Sequence, residues 1–202
     1  MTDAGVRTEA RRYTHWLRDR LLRSKGHDPS RAGAIPRTDR GKPHLPEDRH
    51  LNWSTSSTDG ASGLVWCIGR QVGLDLECDD GEIPTDTLLR DTLTDAERSD
   101  WDAHPSSGRF MDLWTRKEAA LKCLGLGLHL MPNQIHIGAP SPSWTSARVQ
   151  NRHRCWVRSV HVTEHVRCAI ACEVQAAIEL TVADPSSWES SVHSCARTDR
   201  AE

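Results

Sequence analysis

Apolar residues at the start of the chain recur at helical spacing. Tyr13, Trp16, Leu17 and Leu21, with Leu22, fall on one face of a segment spanning 8–24, and Arg11, Arg12, Arg18, Arg20 and Arg23 decorate the others. A basic amphipathic helix is predicted there. Gly26 ends it, and 27–50, rich in Pro, Asp, Arg and His, reads as loop. The period then falls to two. Residues 51–54 and 64–68 read as strands, with 55–63, rich in Ser, Thr and Gly, as a flexible linker between them. Gln71-Val72-Gly73-Leu74-Asp75-Leu76-Glu77 alternates apolar and acidic residues as a strand does. Thr94-Asp95-Ala96-Glu97 reads as a capping box that opens a helix. His104-Pro105-Ser106-Ser107-Gly108 breaks that helix, and Arg109 begins a longer one that Gly125 and Gly127 end. Strands near 154–162 and 166–174 follow, joined by Thr163-Glu164-His165, with Cys168, Ile170 and Cys172 on one inward face. From about residue 183 the composition of Pro, Ser and mixed charge predicts a disordered tail. Helix and strands, then strand, helices and strands again, make the fold class α+β.

Composition narrows the function. A net charge of −2 provides no basic field for nucleic acid. No apolar run approaches the length of a membrane span, and the first residues carry no secretory signal pattern. Seven cysteines without CxxC pairing read as reduced thiols in a cytoplasmic protein, several of them buried. His161 and His165 have the spacing of a helical zinc pair but flank a turn between strands, which argues against zinc.

Two stretches carry candidate chemistry. On the long helix, Trp114, Glu118 and Lys122 are four apart and share one stripe, with Arg116 and Lys117 beside them. On a surface helix this would be an ordinary Glu–Lys pair worth a few tenths of a kcal/mol. Upstream, Asp75 and Glu77 point to the same side of their strand. Adjacent carboxylates repel unless a cation or proton lies between them, and hard oxygen ligands suit Mg²⁺, which completes its shell with water and phosphate. Glu118 offers a third oxygen.

Together, Gly73-Leu74-Asp75-Leu76-Glu77 and Trp114-Thr115-Arg116-Lys117-Glu118-Ala119-Ala120-Leu121-Lys122 resemble the signature of the 4′-phosphopantetheinyl transferases. The Trp and the trailing Gly125-Leu126-Gly127-Leu128 look most like the Sfp-type branch. Gly41-Lys42-Pro43-His44-Leu45 and Leu51-Asn52-Trp53-Ser54-Thr55-Ser56 resemble two further segments of that branch, in the same order, so the likeness covers roughly 10–180.

The resemblance implies two similar halves side by side with the active site between them: 1–70, then 71–182, then the tail 183–202. Relatives carry a strand before the first helix, and only a few residues precede it here, so that strand is either missing or encoded upstream of this start. The resemblance also implies a monomer, although a missing strand would expose a sheet edge able to pair with a second chain. Phosphopantetheine would pass from coenzyme A to a serine of an apo acyl or peptidyl carrier protein, leaving 3′,5′-ADP. Asp75 and Glu77 would hold Mg²⁺. Glu118 would be a third ligand or the base that takes the serine proton. Lys117 and Lys122 would neutralise phosphate oxygens, Lys42 would reach a phosphate, and Arg11 or Arg12 would contact the coenzyme 3′-phosphate with Ser54 and Thr55. Relatives carry a histidine where Thr55 stands, and a hydroxyl donates one bond but no charge. Two alternatives stay open: a relative that binds a carrier or a coenzyme fragment without transfer, and a Mg²⁺-dependent phosphohydrolase using the same carboxylates.

Overall fold

The computed structural model describes residues 3–30, 35–127, 130–138, 143–150 and 152–181, the side chains of 3–9 and 11 excepted. The first helix, α1 (Asp3–Ser24), starts five residues before the predicted 8 and ends, as expected, just ahead of Gly26 at φ +82°. Leu21 and Leu22 anchor it on Leu45, Leu51 and Trp53. Beneath it lies a hairpin, β1 (Leu51–Thr58) and β2 (Ala61–Ile68), in antiparallel register from Leu51↔Ile68 to Thr58↔Ala61.

The predicted flexible linker is therefore corrected, because most of 55–63 is strand. Its reason is a side-chain ladder. The hydroxyl oxygens of Ser54, Ser56 and Thr58 accept the backbone N–H groups of Leu74, Leu76 and Cys78 at 3.1, 3.2 and 3.0 Å. The constant offset of 20 residues means that β1 runs parallel to β3 (Val72–Cys78). These are the amides that an edge strand leaves unpaired, and the hydroxyls satisfy them in place of a backbone ladder.

β3 edges a five-stranded antiparallel sheet of order β3-β7-β6-β5-β4, with β4 Ile135–Ile137, β5 Thr145–Val149, β6 Arg152–His161 and β7 Val166–Cys172. Strands β6 and β7 sit close to their predicted places; β4 and β5 add two that the sequence reading did not name. Strand β7, paired on both sides by β3 and β6, is buried on both faces. Cys168 and Ile170 pack with Leu74 and Leu76 on the hairpin side, while Ala169 and Ala171 pack beneath the helices.

Between β3 and β4 come α2 (Asp86–Thr92), α3 (Asp95–Ala103) and α4 (Ser107–Leu124). The expected capping box opens α3: Thr94 accepts from the Glu97 amide, and Glu97 accepts from the Thr94 amide. α4 is the long helix, ended by Gly125 at φ +62°, where a left-handed residue is least costly if it is glycine. It buries Ala119, Ala120, Leu121 and Cys123 on the sheet. β3 meets it backbone to backbone. A Cβ on Gly73 would lie 2.0 Å from the Ala119 carbonyl oxygen and 2.5 Å from the Cys123 nitrogen, so only glycine lets the strand approach this closely.

The fold is α+β. A helix laid on antiparallel strands occurs twice, as α1 on β1–β2 and as α4 on the larger sheet. Among the described residues no helix is long and apolar enough to cross a membrane. The predicted tail lies outside the described residues.

Candidate active site

Close packing at Gly73 sets Asp75 against α4. The Asp75 carboxylate is buried, and its Oδ1 accepts from the Lys122 ammonium at 2.6 Å and from the Ser56 hydroxyl at 3.1 Å. Ser56 Oγ lies 3.2 Å from Lys122 Nζ, so β1, β3 and α4 each contribute one member of a triangle. The other oxygen, Oδ2, is buried without a partner. Two residues along β3, Glu77 Oε1 accepts from the Trp114 indole N–H at 3.1 Å, and the Trp114 ring stacks on Phe110. Trp114 thus orients the second acid directly as well as packing beside it. Glu118 is half-buried in the same field.

Electrostatics mark these three acids as one group. Burial raises the Asp75 pKa, and Lys122 opposes that rise. Burial and then the Asp75 charge raise Glu77, with Trp114 opposing. Burial and then Asp75 raise Glu118, and Glu77 adds to the rise. One ammonium does not neutralise three carboxylates.

The cluster suits a hard cation by its donors: all are oxygens, one is orphaned, and added positive charge would relieve the repulsion. Among the described residues, however, no group of three or more His, Cys, Asp or Glu side chains is arranged to hold a metal ion. The match is one of donor chemistry and charge.

The other expected site residues are placed as follows. Lys117 faces away from the cluster. It is fully buried, and its ammonium donates to Glu97 at 2.6 Å, the Thr92 carbonyl at 2.8 Å and the Pro132 carbonyl at 3.0 Å. All three N–H bonds are committed, so the structure does not bring Lys117 to a phosphate. Lys42 donates to the carbonyls of Val72 and Cys123 at 3.1 and 2.9 Å, placing a cation at the C-terminus of α4 where the helix dipole favours one. Burial lowers its pKa. Beside it a cavity of about 280 Å³ is lined by Arg40, Lys42, Gln71 and Gly125 among others. Ser54 is buried in the hydroxyl ladder. Thr55 is half-buried on the alternate face of β1, the side that carries Trp53 toward α1. Arg12 is exposed on α1, and the Arg11 side chain lies outside the described residues.

Ser56 lies in the Leu51–Ser56 segment, where the sequence alone assigns it no role. The available signal was the alternation of hydroxyls at 54, 56 and 58, which mirrors the alternation at 74, 76 and 78 on β3.

Comparison with known proteins places the chain in a family. A family model described as the 4'-phosphopantetheinyl transferase superfamily matches residues 71–171, the stretch from β3 to β7 that holds Asp75, Glu77, Glu118 and Lys122. A Haemophilus influenzae protein named "Putative 4'-phosphopantetheinyl transferase" is 28% identical over 136 residues, which are 64% of this chain. The match spans 57% of that relative's length.

Proposed function

Since the chain belongs to the 4′-phosphopantetheinyl transferase superfamily, we propose that it moves 4′-phosphopantetheine from coenzyme A to a serine of an apo acyl or peptidyl carrier protein, releasing 3′,5′-ADP. The observation that carries this reading is the Asp75–Lys122–Ser56 triangle with Glu77 and Glu118 beside it: an under-neutralised acidic cluster at the junction of hairpin, sheet and helix. The Gly41-Lys42-Pro43 and Leu51–Ser56 segments favour the Sfp-type branch within the family.

Asp75 and Glu77 are the residues that would hold Mg²⁺. When bound there, the ion would supply charge stabilisation for the pyrophosphate and for the leaving 5′-phosphate of 3′,5′-ADP. Trp114 fixes the Glu77 carboxylate, and Ser56 fixes Asp75 and Lys122 together. Lys122, one-third exposed at its side chain, presents the ammonium that neutralises phosphate oxygens. Glu118, with its pKa raised by burial and by Asp75, is the stronger base for it and would take the serine proton. Attack of the serine oxygen on the β-phosphorus forms one P–O bond as the bond to 3′,5′-ADP breaks. Lys42 and Arg40 line the cavity that would receive part of the coenzyme, and Arg12 and Thr55 are proposed for its 3′-phosphate. Lys117 serves the fold.

The test is mass spectrometry of a panel of apo carrier proteins incubated with this protein, coenzyme A and Mg²⁺. A phosphopantetheine mass gain that EDTA removes is expected. Folded protein that modifies no carrier would overturn transfer and favour a binding-only relative. Release of phosphopantetheine without carrier modification would favour hydrolysis.

A further inference from the structure

We propose that Cys67 and Cys172 form a thiol-oxidation site, where a hydroperoxide-class oxidant makes a disulfide that staples the hairpin to the end of β7. Topology brings the two together. Cys67 lies at the end of β2, five residues before Val72, and Val72 pairs directly with Cys172 in the β3–β7 register. The turn between is held shut: Gln71 N–H donates to Glu173 Oε2 at 2.9 Å, and Glu173 N–H donates to the Gln71 carbonyl at 3.3 Å. The two thiols are in hydrogen-bond contact, each contributed by a different sheet. Cys67 is half-exposed and Cys172 is buried behind it, so one sulfur meets the oxidant and the other waits to resolve it.

A second thiol pair in the same molecule shows what the first has in addition. Cys123 on α4 and Cys155 on β6 are also in contact, but both are fully buried. There the shared hydrogen bond and burial push the Cys123 thiol far up. At Cys172 the bond from Cys67 leads in the other direction and pulls the thiol below its ordinary value, against burial. Thiolate character and access decide reactivity; of these two pairs, the Cys67–Cys172 one joins a thiolate at Cys172 to an accessible sulfur at Cys67.

The chemistry balances. Cys172, as the thiolate, takes the Cys67 proton along the contact, and the Cys67 sulfur attacks the distal oxygen of the peroxide; an S–O bond forms, O–O breaks, and the leaving oxide takes a proton from solvent to depart as water or an alcohol. Cys172 sulfur then attacks the Cys67 sulfenic sulfur, S–S forms, S–O breaks, and hydroxide leaves with the Cys172 proton as water. Two thiols are oxidised and one peroxide is reduced.

The full chain would be treated with hydrogen peroxide, its remaining thiols alkylated with N-ethylmaleimide in denaturant, and its unreduced digest mapped by mass spectrometry. The expected result is a peptide carrying Cys67 joined to one carrying Cys172, reversed by dithiothreitol, with Cys123 and Cys155 still fully alkylated. The oxidised form should also need more urea to unfold than the reduced one. Cys67→Ser, at a half-exposed position, should abolish the bridge, and Cys172→Ser should leave Cys67 unbridged and oxidised more slowly, because its proton acceptor is gone. A bridge between Cys67 and any other cysteine, equal oxidation of Cys123 and Cys155, or no loss of thiols would overturn the proposal. None of these readouts depends on transferase activity.

Discussion

Helix α4 carries two lysines that each meet a carboxylate at 2.6 Å, and the pairs are built for opposite purposes. On one side Lys117 and Glu97 are sealed, with side-chain exposures of 0% and 8%. Every proton of that ammonium has an acceptor, and Glu97 also takes the amides of Thr94 and Ile137. On the other side Asp75 is buried but keeps an orphaned oxygen, Lys122 is 33% exposed, and two further acids press on the pair. A contact distance cannot separate these cases. Completeness of hydrogen bonding does: a satisfied buried pair fixes structure, and an unsatisfied one is a place where something else can bind.

The largest expected effect is on the sealed pair. Lys117→Met leaves the Glu97 carboxylate buried without its cation, and breaking a buried pair from one side costs about 3–5 kcal/mol. Urea unfolding measures it. A loss under about 1 kcal/mol together with a weakened coenzyme KM would dissolve the contrast and return Lys117 to the site. Next comes Asp75→Asn, which preserves volume and removes the charge that burial already disfavours. Stability should hold while carrier modification falls by about two orders of magnitude, the scale of losing one charge-stabilising group. Unchanged turnover would remove Asp75 from the chemistry.

The raised pKa values of Asp75, Glu77 and Glu118 fix the sign of a third effect. The folded state holds these protons more tightly than the unfolded chain, so stability falls as pH rises from the ordinary carboxylate range through the raised values. Mg²⁺ should offset that fall, because it binds the ionised cluster and competes with protons. The Mg²⁺-induced rise in Tm should therefore be larger at pH 8 than at pH 5, and absent in Asp75→Asn. A rise independent of pH would mean that the ion binds elsewhere.

Much of this arrangement was legible, and the misses have physical causes. Strand alternation put Asp75 and Glu77 on one side, and the i,i+4 stripe put Trp114, Glu118 and Lys122 on one face; the structure joins both through Lys122–Asp75 and Trp114–Glu77. Lys117 was drawn into the site by its neighbours in the motif. At 3.6 residues per turn it stands about 140° around the helix from Lys122, so the geometry already set it apart. The need for glycine at 73 is invisible in the sequence, since a helix backbone approaching from outside the strand leaves no local trace. The hairpin was misread because Ser and Thr signal loops when exposed, whereas here their hydroxyls pair with another strand's amides. Asp59-Gly60 was the turn signal, with Gly60 at φ +72°. Strands β4 and β5 are short, and their place is set by the sheet beside them rather than by their own pattern.

The smallest expected effect tests how the open cluster is held. Trp114→Phe keeps an aromatic ring to stack on Phe110 and removes only the indole N–H that Glu77 accepts. One hydrogen bond to a half-buried carboxylate is worth about 1 kcal/mol, so the fold should stand. What should move is Glu77 itself. Its hydrogen bond from Trp114 is the leading influence holding its pKa down against burial and Asp75, so the variant's Glu77 should hold its proton to higher pH. Mg²⁺ affinity should then drop by about tenfold, the lower end of the range for losing a ligand's supporting partner, and more at pH 6 than at pH 8. Calorimetric titration with Mg²⁺ at both pH values reads this directly. Equal affinity in variant and parent would show that Trp114 belongs with Lys117, as part of the scaffold, and that Glu77 needs no help to stay charged.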